Sequence, residues 1–149
     1  MANKGAIALG ISAALGLAGL GIYFATRPAE AKETSGEYTD IVELSPFPAK
    51  PSAGEGVIVS LVVKNITKNA FKVRTGGGAS YIAGTQNYLV STSGWDPSYA
   101  DMQPGQTVLF RTAFTMPQHQ VTMEGTVYWL GSDGQYHKDG DITIVIPLA

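Results

Sequence analysis

The stretch from Gly5 to Thr26, GAIALGISAALGLAGLGIYFAT, constrains everything that follows it. It is twenty-two residues long, carries no charge and lies between Lys4 and Arg27. An α-helix of about 20 apolar residues spans the roughly 30 Å hydrocarbon core of a bilayer. A chain with such a segment is expected to divide in three: a transmembrane helix or signal anchor over residues 1–26, a polar stalk or linker over 27–37, and a folded domain over 38–149. The stalk, RPAEAKETSGE, is charged and includes Pro28 and Gly36, the composition of a solvated spacer.

The apolar segment has a patterned surface. Ala6, Gly10, Ala14 and Ala18 recur at four-residue spacing, and Ser12 and Gly16 form a second such row. Small residues in that arrangement let helix backbones approach closely inside lipid. The segment is therefore expected to pack against helices, its own copies or a partner's, as well as against membrane lipid. Tyr23 and Phe24 stand near its far end, where aromatic rings favour the membrane interface.

Three fates compete for the segment. A retained signal anchor is the leading one, with a short amino-terminal head inside and the domain extracytoplasmic, on a cell surface or a virion membrane. A secretory signal cut at Ala29-Glu30-Ala31 is the second, since that triplet has the small-x-small form. The third comes from Lys4-Gly5-Ala6 followed at once by the apolar run. This beginning resembles the class III signal peptides of archaeal pilins and archaellins, cut after the glycine. The resemblance implies a filament subunit whose helices bundle into a core.

From Tyr38 onward the apolar period is two, the signature of strands. Ile41 to Leu44 reads as a first strand, with Pro46, Pro48 and Pro51 confining it to a sheet edge. Val57 to Asn65 is the strongest strand, with Val57, Val59, Leu61 and Val63 on one face and nearly everything else apolar, as for a central strand buried on both sides. Phe71–Thr75, Ser80–Ala83 and Tyr88–Ser91 follow, broken by Gly76-Gly77-Gly78 and Gly84-Thr85. Thr92 to Gln106 has no strand pattern and closes on the turn residues Pro104-Gly105. Thr107–Thr115 and Val121–Leu130 alternate well. Asp133-Gly134 signals a hairpin, Asp139-Gly140 a second turn, and Ile142, Ile144, Ile146 and Leu148 a last strand.

Some seven to nine short strands at roughly ten-residue spacing, with no helix, predict an all-β fold, an antiparallel immunoglobulin-like β-sandwich, with a jelly roll as the alternative. A Val-rich strand ends in Lys64-Asn65-Ile66-Thr67, Pro104-Gly105-Gln106-Thr107 opens an alternating strand, and Phe114 to Pro117 closes it. This succession resembles bacterial and archaeal cell-surface immunoglobulin-like modules. The resemblance implies an architecture and no particular partner, and the Cys-Trp-Cys core of true immunoglobulin domains is absent.

The net charge of −2 gives no basic surplus, so nucleic acid is not an expected partner. With no cysteine there is neither a disulfide framework nor a thiolate metal site. The two histidines, His119 and His137, are expected near turns, and no Gly-x-Ser-x-Gly elbow accompanies them. Asp96, Asp101, Asp133, Asp139 and Asp141 do not follow a calcium-loop spacing and read as turn residues. Gly76 to Gly78 lacks the Lys-Ser/Thr of a phosphate loop and reads as a flexible hairpin tip. No cofactor, metal or enzymatic activity is expected. Asn65-Ile66-Thr67 is an N-glycosylation sequon, expected to be exposed at a strand end. Trp95 and Tyr99, aromatic residues on the long loop, are the candidate partner contacts; the competing role for Trp95 is to plug one end of the core.

Overall fold

The computed structural model describes residues 32–34 and 36–149. The predicted membrane helix, with Ala6, Gly10, Ser12, Ala14, Gly16 and Ala18, lies outside the described residues. Among the described residues no helix is long and apolar enough to cross a membrane.

The described chain is a sandwich of antiparallel strands. In order they are β1 (Lys32–Thr34), β2 (Thr39–Phe47), β3 (Gly56–Asn65), β4 (Phe71–Gly76), β5 (Ala79–Ala83), β6 (Gln86–Val90), β7 (Ala100–Met102), β8 (Thr107–Thr115), β9 (Val121–Leu130) and β10 (Tyr136–Ile146). One sheet has three strands in the order β2-β3-β8. The other has seven: β1-β10-β9-β4-β7, with β5 also against β9 and β6 against β5. β3 pairs with β8 in one sheet, while β4, β9 and β10 pair in the other. That is the immunoglobulin-like distribution rather than a jelly roll.

Alternation explains the core. Val57, Val59, Leu61 and Val63 of β3 face Phe110 and Phe114 of β8 and Val121, Met123, Val127, Ile142, Ile144 and Ile146 of the opposite sheet, all buried. The outer side of β3 is mixed: Val62 is buried, but Ile58 is 48% exposed, so burial on both faces holds for only part of the strand. Pro46 sits in β2 at the sheet edge, where its missing N–H breaks no ladder.

Three local expectations give way to long-range pairing. Gly76 to Gly78 is not a hairpin tip. It is the joint between β4 and β5, and both strands pair with β9, through Gly76↔Thr126 on one side and Ala79↔Met123 on the other. Gly77 has φ +102°, and its Cα lies against the Glu124 carbonyl, where a Cβ would collide. Asp139-Gly140 is not a turn either: it lies within β10, at a register shift between Lys138 and Gly140. The Asp139 carboxylate accepts hydrogen bonds from the backbone N–H groups of Glu37 (2.8 Å), Tyr38 (3.1 Å) and Thr39 (2.8 Å) and from the Thr39 hydroxyl (2.6 Å). It thereby satisfies the start of β2 across the sandwich. Finally, Lys32–Thr34 pairs with Asp141–Thr143 of β10. The expected stalk thus contributes a strand, and the folded unit begins before Tyr38.

The β9–β10 connection is the predicted Asp133-Gly134 turn, with Gly134 at φ +80°. The Asp133 carboxylate accepts from the Gln135 N–H (3.0 Å) and meets His137 Nε2 at 2.9 Å. The Gln135 bond first, and His137 second, hold its carboxyl below the ordinary value of 3.8. A depressed carboxyl stabilises the folded turn at pH above 3.8, and that contribution disappears as pH falls through the lower folded value. The carboxyl-carbon resonance of Asp133 should titrate with a midpoint below 3.8, and His137→Ala should move it part of the way back. An unchanged midpoint in the variant would remove His137 from the account.

Candidate interaction surfaces

The outer face of the larger sheet gathers cations and tyrosines. On β4, Lys72 and Arg74 share this face, because strand residues two apart point the same way. The Arg74 guanidinium lies 5.3 Å from the ring centre of Tyr128, its cross-strand partner on β9, and 4.7 Å from that of Tyr136 on β10. Lys72 lies 4.3 Å from the Tyr99 ring and 3.8 Å from Asp101. Lys138 bonds Asp141 at 2.6 Å, and that bond raises its ammonium above the ordinary value. The result is a solvated platform whose cations stand over aromatic faces, each such contact worth about 0.5–1 kcal/mol at an exposed site.

Tyr99, expected from sequence as a contact residue, is 49% exposed on this platform. Trp95 is elsewhere. It is half-buried against the core, and its indole N–H donates to the Gly77 carbonyl at 3.3 Å. The loop therefore splits the pair: Trp95 braces the β4–β5 joint, and Tyr99 faces solvent. Sequence reasoning missed Arg74, Tyr128 and Tyr136. Alternation marks each as outward-facing, but the register that brings three strands' residues together is not local.

A second surface collects apolar side chains at one end of the sandwich. The ladder β9–β10 defines two ends, one at Val121↔Ile146 and the other at Leu130↔Tyr136. At the Val121 end the β5–β6 hairpin projects past β9 and carries Ile82 and Leu89, 69% and 86% exposed, on one face and Tyr88 on the other. Tyr81 stacks between Tyr88 (5.3 Å) and His119 (4.8 Å), bracing the hairpin's inner side. Phe47 and Ile58, opposed in β2 and β3, are exposed at the same end, which the Ala149 N–H to Pro51 carbonyl bond ties together. From Thr75 to Trp95 the chain has no charged residue. Beside Ile58 an open groove is lined by Val57, Thr92, Ala113 and Phe114, with no titratable group in its walls.

Asn65 is not an exposed acceptor. It is fully buried, and its amide nitrogen donates to the carbonyls of Asn69 (2.9 Å) and Met102 (3.1 Å). Its oxygen accepts from the Thr67 N–H (2.9 Å) and hydroxyl (2.8 Å). Both amide hydrogens are used inside the fold, so the sequon does not present a glycan site in the folded domain. Among the described residues no cluster of His, Asp and Glu is arranged to hold a metal ion.

No protein-family model and no curated protein matches the sequence. Solved structures do show a likeness. A PapD-like domain of human CEP192 is 9% identical over 82% of this chain and 88% of that one, with a TM-score of 0.48. The chaperone–tip adhesion subunit complex of the archaic Csu pili of Acinetobacter baumannii is 12% identical, over 71% of this chain and 57% of that one, at 0.44. WR4, a C. elegans MSP family member, is 8% identical over 71% and 97% of the two chains, at 0.41.

Proposed function

We propose that this protein is a non-enzymatic, membrane-anchored surface protein whose β-sandwich binds another protein. The anchor is the Gly5–Thr26 segment, and the extracytoplasmic domain presents the platform of Arg74, Tyr99, Tyr128 and Tyr136. The observation that supports binding is the setting of Arg74, exposed on the outer face of the larger sheet and placed over two tyrosine rings. Arg and Tyr are residue types that dominate contact energies at protein interfaces, and here Arg74 already packs on two tyrosine rings before any partner arrives. A pilin-like filament subunit or a virion structural protein is the second reading, favoured by the small-residue rows of the apolar segment.

The test is a photo-crosslinking side chain at Tyr99 in the full chain, expressed in its own membrane and illuminated on intact cells or particles. Discrete protein adducts should form and should be lost in Arg74→Glu, while a crosslinker at Lys50, near the other end, gives none. If Tyr99 yields no adduct, the platform is not a contact surface. Adducts consisting of a second copy of this chain would select the filament or virion reading.

A further inference from the structure

We propose that the uncharged β5–β6 hairpin rests on the surface of the bilayer in which the chain is anchored. This rests on the anchor reading above and adds a lipid contact to it.

Direction comes first. In β1, Lys32 stands opposite Thr143, which is opposite Glu124 in β9, and Thr34 stands opposite Asp141 and hence Thr126. Traced backward, β1 therefore runs toward the Val121 end of the sandwich. Its first residue, Lys32, is thus directed toward the end that carries the exposed Phe47, Ile58, Ile82, Tyr88 and Leu89.

Length comes second. Lys32 and Thr26, the last residue of the apolar run, are six residues apart, a reach of at most about 20 Å. The hairpin occupies the same interval. The last β5–β9 pair is Ser80↔Thr122, two residues beyond the level of Glu124, and the tip at Gly84 lies four residues further. At about 3.3 Å per residue the tip projects about 20 Å past Lys32. When the domain stands with this end down, the tether is no longer than the hairpin, and the tip meets the plane in which the apolar segment ends.

Chemistry comes third. A charged hairpin in that place would keep its water. This one carries no charge from Thr75 to Trp95 and offers Ile82, Tyr88 and Leu89 to its surroundings. Tyrosine and aliphatic side chains are suited to the headgroup boundary, and water at that depth still satisfies the outer backbone groups of β6. The exposed charges Lys64, Lys68 and Lys138 lie toward the other end, and Lys50 and Glu55 at this end stand on the β2–β3 connection and not on the hairpin.

The protein has no cysteine, so one can be placed at will. Leu89→Cys, Ile82→Cys and Lys68→Cys full-length variants, each labelled with an environment-sensitive dye, are reconstituted into phosphatidylcholine vesicles with brominated acyl chains. All three positions are exposed, so labelling leaves the fold intact. The dye at Ile82, two residues from the tip, should shift to the blue and be quenched by the lipid bromine; the dye at Leu89, opposite Ser80 and two residues farther from the plane, should respond less, and the dye at Lys68 should do neither. If the vesicles float with the protein but aqueous iodide, and not lipid bromine, quenches the dye at Ile82, the lipid contact is overturned and the anchor stands. If the dye is shielded from both quenchers, a protein covers the hairpin and the lipid contact is likewise overturned. If the chain does not float with the vesicles, the anchor reading fails and takes this one with it.

Discussion

Gly77→Ala should unfold the sandwich at urea concentrations well below those the native chain withstands. The position combines two demands that only glycine meets. Its φ of +102° lies outside the left-handed region that other residues visit at modest cost, and a Cβ there would run into the Glu124 carbonyl oxygen. The neighbouring Gly78 carbonyl accepts the Glu124 N–H at 2.9 Å, and the Gly77 carbonyl accepts the Trp95 indole. Relieving the clash by moving the backbone therefore breaks the β5–β9 ladder and the Trp95 brace together. Backbone strain and overpacking sum to a loss of about 4 kcal/mol. Gly84→Ala is the control: φ is +66° and the space beside it is open, so the cost is about 1–2 kcal/mol. Urea titration of the full chain in detergent, followed by tryptophan fluorescence, reads both. Equal midpoints for the two variants would mean that the close approach to Glu124 has no energetic consequence.

Asn65→Ala should be the next most damaging. The side chain is buried at the end of β3 and links two connections, Thr67–Asn69 and the chain after Met102. Alanine leaves the Asn69 and Met102 carbonyls and the Thr67 N–H without this partner, in a site that water does not reach freely. A loss of about 3 kcal/mol is expected from buried groups left unpaired. Asn65→Asp tests the cause. It keeps the shape and the acceptor but turns the donor into a second acceptor facing two carbonyls, so it should be at least as destabilising. If Asn65→Asp restores native stability, the donated bonds are not what holds the loop.

Those two positions also show where sequence reading stops. Strands whose faces alternate were legible to the residue: Thr107–Thr115 and Val121–Leu130 coincide with β8 and β9, and Val57–Asn65 with all but the first residue of β3. Period two is a local signal, and a buried face imposes it locally. β7 left no such signal inside Thr92–Gln106, because its three residues are held by Phe71–Val73 rather than by a pattern of their own. Glycine triplets and Asp-Gly pairs are turn signals in isolation. At Gly76–Gly78 and Asp139-Gly140 pairing with β9 overrode them, and the Asp139 carboxylate serves a backbone segment some hundred residues away in sequence. Tyr99 was singled out because it is an aromatic on a loop. Arg74 was not, since its significance depends on the registers β4–β9 and β9–β10, which put Tyr128 and Tyr136 beside it.

The Asp139 carboxylate has one more consequence, for how the domain bears a pull. A force transmitted from the amino-terminal side reaches β1 first and runs along its axis, so that its three residue pairs with β10 are loaded together in shear. The force then meets the cluster of bonds from Glu37, Tyr38 and Thr39 to a single side chain, which must yield together. β1 already runs as an extended strand from the direction of that cluster toward the tether, so its release adds little length and the Asp139 bonds take up the load directly.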